Sequence, residues 1–244
     1  MNRLIELEGV SNFRDLGGYE TTDGRSVRWR TIFRSDTLAS LTDGDVETVC
    51  DLGVTTACDL RYAEERASEP SRFLDHDRVE VLALGLEERP GASFLDSFEL
   101  STDPRAAART YLLENYRQYP FLYAGAYRAI FERLLAGEQL VIHCTAGKDR
   151  AGTAAAMVLT ALGVPRDVVF DDYMLTNIYW DRGGREPPGM DAETVAAIFS
   201  AQAEYLAAAF DAIETRHGGV DVYLADEIGL DEGGRRRLRD LCLV

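Results

Sequence analysis

Cys144 and Arg150 are separated by five residues in the segment Leu140-Val141-Ile142-His143-Cys144-Thr145-Ala146-Gly147-Lys148-Asp149-Arg150-Ala151-Gly152-Thr153. The segment reads as a short apolar strand, a tight loop and the start of a helix. That arrangement gathers backbone N–H groups at a helix N-terminus, where anions bind. Gly147 lets the backbone curl close to a ligand. Arg150 offers a planar fork able to hold two oxygens of a phosphate. A thiol at the mouth of such a loop lies in a positive field, which favours thiolate near neutral pH. Phosphate held there is aligned for attack by sulfur, and the same donors stabilise the charge that develops. The expected chemistry is therefore phosphoryl transfer to Cys144, with Arg150, Thr145, Ala146, Gly147, Lys148 and Ala151 forming the phosphate cradle.

The rest of the chain must position that loop. An opening stretch, Asn12-Phe13-Arg14-Asp15-Leu16-Gly17-Gly18-Tyr19, carries paired glycines that suggest a tight turn. A hairpin is expected around Asp23-Gly24, with 27–33 as its second strand. Leu41-Thr42-Asp43 reads as a helix start, and the helix over 45–52 is stopped by Gly53. Residues 54–60 and 79–84 read as buried strands. Residues 106–135 are helical in composition and rich in tyrosine, with Pro120 as a break. Residues 140–143 suit a central strand, and 151–162 a helix closed by Gly163 and Pro165. Further helices are expected at 166–178, 192–216 and 232–241. Alternating strands and helices argue an α/β fold in which helices flank a central, mostly parallel sheet. A length of 244 residues, with no repeat and no low-complexity linker, indicates one domain over 1–244.

Composition narrows the partners. The formal net charge is −16, from 26 Lys+Arg against 42 Asp+Glu. Such a surface repels nucleic acid and anionic membranes at long range. An anionic substrate must be captured by a short-range site, and no nucleic-acid partner is expected. The longest apolar stretch, 151–164, is short and interrupted, and Glu6 and Glu8 break up the opening residues, so neither membrane insertion nor a signal peptide is expected. The location is read as cytoplasmic. Four cysteines without Cys-x2-Cys spacing and only three histidines argue against a zinc site or a disulfide framework. No cofactor or metal is expected. Cys50 and Cys58 read as core residues, a redox partnership with Cys144 being the alternative.

His143-Cys144 followed by five residues and Arg150 resembles the signature of the protein tyrosine phosphatases, and His-Cys-Thr-Ala-Gly-Lys-Asp-Arg is similar to its atypical bacterial branch. The opening motif, Arg34-Ser35-Asp36 with Leu41-Thr42, Leu52-Gly53-Val54 with Asp59-Leu60-Arg61 and Glu65, and 172–177 extend the likeness in order over roughly residues 10–180. The resemblance implies a tyrosine-phosphatase-like fold and a metal-independent cysteine phosphatase. Its substrates would be phosphotyrosine, sometimes phosphoserine or phosphothreonine proteins, and phosphoinositides. It also implies that His143 tunes the thiolate, a core histidine being the alternative reading. Lys148 would add positive charge favouring polyanionic substrates, against a solvated loop charge. Arg14, Asp15, Asp59 and Arg61 read as braces of the loop through ion pairs. A helical lid insertion is expected around 87–135, with core-packing aromatics as the alternative.

Two departures qualify the likeness. The position after the arginine often holds Ser or Thr, whose hydroxyl helps the departing thiolate; here it is Ala151, with Thr153 two residues further on. Slow cleavage of the phosphoenzyme follows, and a catalytically impaired phospho-binding module becomes an alternative. No Trp-Pro-Asp tripeptide supplies a general acid, the tryptophans being Trp29 and Trp180. In the atypical branch the aspartate inside the loop has that role, which matches Asp149; Asp77, Asp96 and Asp103 are further candidates. A rhodanese-like sulfurtransferase is the nearest other enzyme, disfavoured by His143 and the extended likeness. The loop is not a nucleotide-binding Walker motif, because Ile142 and Asp149 replace required residues.

Overall fold

The computed structural model describes residues 2–90, 102–184 and 190–244. Five strands form one sheet in the order β1-β2-β5-β3-β4: β1 is Arg14–Asp15, β2 Ile32–Ser35, β3 Thr56–Asp59, β4 Glu80–Ala83 and β5 Leu140–His143. Among the described residues, only β1 runs antiparallel to its neighbour; the other pairings are parallel. The α/β, mostly parallel expectation holds.

Strand β5 is central. Its residues alternate between two cores, as a period of two demands. Leu140 and Ile142 join the larger core, and Val141 joins the smaller one with Phe33, Ala57, Val46 and Val49. His143 lies in register with Ser35 on one side and Asp59 on the other. The carboxyl ends of β2, β3 and β5 thus converge where Cys144 begins, the position at which open α/β sheets take ligands.

Among the described residues, eleven helices surround the sheet. The first two are α1, Asp43–Asp51, and α2, Ala63–Ser68. Next are α3, Pro104–Leu122, α4, Ala124–Leu135, and α5, Arg150–Leu162. The short α6, Arg166–Met174, and α7, Thr176–Tyr179, follow. The last four are α8, Ala192–Phe199, α9, Ala203–His217, α10, Val220–Asp226, and α11, Glu232–Cys242. Among the described residues no helix is long and apolar enough to cross a membrane.

Several expected boundaries move for identifiable reasons. Residues 27–33 do not form a hairpin strand. Glu20 and Ser26 make one isolated bridge, and the Ser26 and Arg28 backbones bond to Val244 and Cys242 of the C-terminal segment. Arg30, with φ of 59°, then breaks the extended run before β2 starts at Ile32. Pro120 lies inside α3, and the break falls at Tyr123 instead. The span 192–216 is two helices, because Asn177 clamps the backbone of Ala201 from both sides: Nδ2 donates to its carbonyl at 2.8 Å and Oδ1 accepts from its N–H at 2.7 Å. The expected 166–178 helix likewise divides at Leu175. Helix α10, between Gly218-Gly219 and Ile228, was not anticipated.

Candidate active site

The loop between β5 and α5 is held from outside by its carbonyls. Thr145 O accepts from Thr37 N–H at 3.2 Å, and Ala146 O from Asn12 Nδ2 at 3.0 Å. Gly147 O accepts from Arg34 Nε at 2.8 Å, and Lys148 O from Arg34 Nη2 at 3.2 Å. In a trans peptide the N–H points opposite to the C=O. Carbonyls of 145–148 turned outward therefore turn the N–H groups of Ala146, Gly147, Lys148 and Asp149 inward. Among the described residues, none accepts from these four donors. Gly147 is required on two counts: its φ is +65°, and a Cβ there would lie 2.5 Å from Ser35 O.

Behind the loop is a buried charge cluster. Arg14 Nε lies 3.1 Å from Asp172 Oδ1, and Arg34 Nη1 lies 2.9 Å from Oδ2. Burial pushes the Asp172 carboxyl up, but the two guanidinium charges outweigh it and hold the group below the usual carboxylate range. Burial draws Arg34 down to about 10. Arg14 also donates to Asn12 Oδ1 at 2.5 Å, fixing the amide that holds Ala146. Gly152 permits this packing, since a Cβ there would lie 2.6 Å from Arg34 Nη2.

A second brace starts from Asp59, whose carboxylate takes Arg61 Nη2 at 2.6 Å. Arg61 Nη1 reaches Thr37 Oγ1 at 3.2 Å, beside the N–H that holds Thr145. Asp59 Oδ2 also lies 3.6 Å from His143 Nε2. Burial lowers the His143 pKa, opposed by the Asp59 charge. Asp15 is not part of either brace. It accepts from Gly17 N–H at 2.7 Å and Arg30 N–H at 2.8 Å, building the turn before β2.

The loop floors a cavity of about 370 Å³. Tyr62, Tyr111 and Tyr119 line it together with Trp180, Ile198 and Phe199. Cys144, Thr145, Ala146, Lys148, Asp149 and Arg150 all reach it, while Cys144 is only 1% exposed. Glu65, in α2, grips Arg150: Oε2 lies 2.6 Å from Nη1 and Oε1 3.1 Å from Nη2. The guanidinium lies 4.6 Å from the Tyr62 ring centroid. Burial opposes charge on Arg150, yet Cys144 and Glu65 outweigh it and raise its pKa well above the usual value. Burial likewise raises the Glu65 pKa, but the Arg150 bonds draw it down to about 2.

Lys148 is not a solvated loop charge. Its ammonium donates to Ile198 O near the end of α8 and lies 3.4 Å from Asp149 Oδ1. Asp149 Oδ1 accepts from Tyr116 Oη at 2.7 Å. Asp103, by contrast, caps α3, Asp77 does not line the cavity, and Asp96 lies outside the described residues. Ala151 is wholly buried, and Thr153 Oγ1 donates to Asp149 O at 2.9 Å. Cys50, Cys58, Cys144 and Cys242 are all free thiols, and burial pushes Cys58 up to about 12. Tyr116, Tyr119, Tyr123 and Tyr127 are buried in the main core, while the face of α3 bearing Tyr111, Leu112, Asn115 and Tyr119 forms a cavity wall.

Sequence reasoning quoted Asn12, Arg34, Glu65 and Asp172 within motifs but gave them no role at the site. Tyr62 and Tyr116 went unremarked there. The signal for Glu65 and Arg34 was a charge at a motif position whose partner lies far along the chain.

The tyrosine phosphatase family profile matches residues 5–244. The triple specificity protein phosphatase PtpB of Mycobacterium tuberculosis is 32% identical, over 98% of this chain and 98% of that protein. A Cupriavidus necator relative, also named as a tyrosine-protein phosphatase, is 30% identical over 93% of this chain and 85% of its own. The tyrosine-protein phosphatase of Nostoc commune is 28% identical, over 84% and 72% respectively.

Proposed function

The chain belongs to the tyrosine phosphatase family, and from that premise we propose that it hydrolyses phosphomonoesters through a phosphocysteine formed on Cys144. The observation that carries this reading is the ring of four inward N–H groups, held by Asn12, Thr37 and Arg34, in a cavity shared by Cys144 and Arg150. Preorganised donors of this kind stabilise charge without reorganising during the reaction.

In the first step the Cys144 thiolate attacks phosphorus, forming the S–P bond as the P–O bond to the leaving group breaks. The electron pair of that bond passes to the leaving oxygen, which takes a proton from Asp149. In the second step water attacks phosphorus, Asp149 takes back a proton, and the S–P pair returns to sulfur. Arg150 and the loop N–H groups hold the equatorial oxygens throughout.

Phosphotyrosine is the favoured substrate, since the aromatic walls of the cavity suit a flat ring above a deep thiol. Phosphoserine, phosphothreonine and phosphoinositides are the further candidates. They draw support from Lys148 in the cavity lining and from the likeness to a phosphatase named for triple specificity. Parallel turnover assays on phosphotyrosine peptide, phosphoserine peptide and a phosphoinositide panel, with and without chelator, test the reading. Acid-quenched protein should carry phosphate on the peptide containing Cys144. Turnover lost in chelator and restored by a divalent ion would overturn the cysteine mechanism.

A further inference from the structure

Tyr116 lies on α3, fully buried, with its ring 5.2 Å from that of Tyr119 and 5.7 Å from that of Tyr205. Its hydroxyl makes two short contacts, 2.7 Å to Asp149 Oδ1 and 2.6 Å to Tyr173 Oη on α6. A phenol has one proton to give. An ionised carboxylate only accepts, so Tyr116 donates to Asp149 and Tyr173 donates to Tyr116. Oδ1 also faces the Lys148 ammonium at 3.4 Å, which opposes a proton on that oxygen.

We propose that Tyr116, backed by Tyr173, is a positioning residue for the general acid: it occupies Oδ1 of Asp149 and so assigns the acidic proton to Oδ2. The proposal rests on the reading of Asp149 as the general acid. Burial, then the neighbouring Asp149 charge, push the Tyr116 phenol well above its usual value, and Tyr173 is raised in the same way. Both therefore stay protonated beside the Asp149 carboxyl. The charged and titratable groups around it are Cys144 and Lys148 from the loop, Arg150 from α5, Tyr116 and Tyr119 from α3, Tyr173 from α6 and Tyr205 from α9. Of these, Tyr116 is the one that donates a hydrogen bond to the carboxylate.

The test compares kcat/KM for a series of aryl phosphates of rising leaving-group pKa, over pH, in wild type, Tyr116→Phe and Asp149→Asn. This quantity reports steps up to formation of the phosphocysteine. Asp149→Asn should steepen the dependence on leaving group and remove the basic limb. Tyr116→Phe keeps the ring but loses the donor. It should lower the plateau about ten-fold for phenyl phosphate, with a smaller loss for p-nitrophenyl phosphate. It should also move the basic limb up by about one pH unit, because the charged carboxylate has lost a stabilising donor. A Tyr116→Phe/Tyr173→Phe double variant leaves no orphaned phenol and should show the same shift if the single variant folds poorly. An unshifted limb and a uniform loss across the series, with Asp149→Asn still steep, would overturn the proposal. A shallow dependence in Asp149→Asn would instead remove the general-acid reading, and the proposal with it.

Discussion

One carboxylate, that of Glu65, holds both terminal nitrogens of Arg150 while accepting from the Tyr62 N–H at 2.8 Å. The same side chain therefore ties the first turn of α2 and aims the arginine. Glu65→Gln should weaken inhibition by inorganic phosphate about ten-fold, since an amide nitrogen faces a guanidinium it cannot accept from. Competitive inhibition assays read this directly.

The same residue predicts an acid limb of stability. Its carboxyl is held at about 2 in the folded protein, against about 4.3 when unfolded. A depressed folded pKa contributes stability that is present above the unfolded value and is lost as pH falls through the folded one. The difference in melting temperature between wild type and Glu65→Gln should shrink as pH falls from about 4.5 to about 2. A constant difference across that window would refute the assignment.

Asp172 is the counter-charge of two arginines that are 0% exposed. Asp172→Asn should destabilise the fold by about 3–5 kcal/mol, the range for breaking a buried ion pair from one side. Denaturant titration measures this. Phosphate affinity should fall as well, because Arg34 carries two of the loop carbonyls.

Cys144→Ser should fold normally and release no product, since a serine hydroxyl is not ionised in that field. Arg150→Ala should lower kcat/KM by about two to three orders of magnitude, the range for losing transition-state donors. Near-normal rates in Cys144→Ser, with Cys50→Ser or Cys58→Ser inactive, would identify a different nucleophile.

Ala151 provides no hydroxyl for the departing thiolate, and the Thr153 hydroxyl is committed to the Asp149 carbonyl. Phosphocysteine hydrolysis should then be slower than its formation. Rapid mixing with p-nitrophenyl phosphate should give a burst approaching one equivalent per site. Ala151→Ser should raise the steady state about ten-fold, the worth of one bond to a charged group, and leave the burst rate nearly unchanged. No burst and no gain would mean that formation limits turnover.

The loop was legible because its pattern is local: Cys144, Gly147 and Arg150 stand out by type and spacing. The α/β class was legible from alternating strands and helices. The braces were not. Asn12, Arg34 and Asp172 act through partners more than a hundred residues away, and no local pattern encodes such pairings. The Asp15 reading misled because its neighbours in the motif, Asn12 and Arg14, do reach the loop or its braces, while its own side chain turns back to Gly17. Tyr116 was hidden in a tyrosine-rich helix where packing alone accounts for aromatics, and only its hydroxyl contact sets it apart. The 192–216 helix failed at Ala201 because a side chain from elsewhere competes for that backbone.

The long reach of the braces also fixes when the protein becomes an enzyme. Asn12 and Ala146 are 134 residues apart, Arg34 and Gly147 113, and Arg14 and Asp172 158. Closing such spans carries an entropic cost that must be met before any of these contacts can form. During synthesis, Asn12, Arg34 and Thr37, which hold the loop carbonyls, precede the signature loop, but Asp172, which fixes Arg14 and Arg34, emerges only after it. Phosphate affinity and turnover therefore arrive together with the completed tertiary structure.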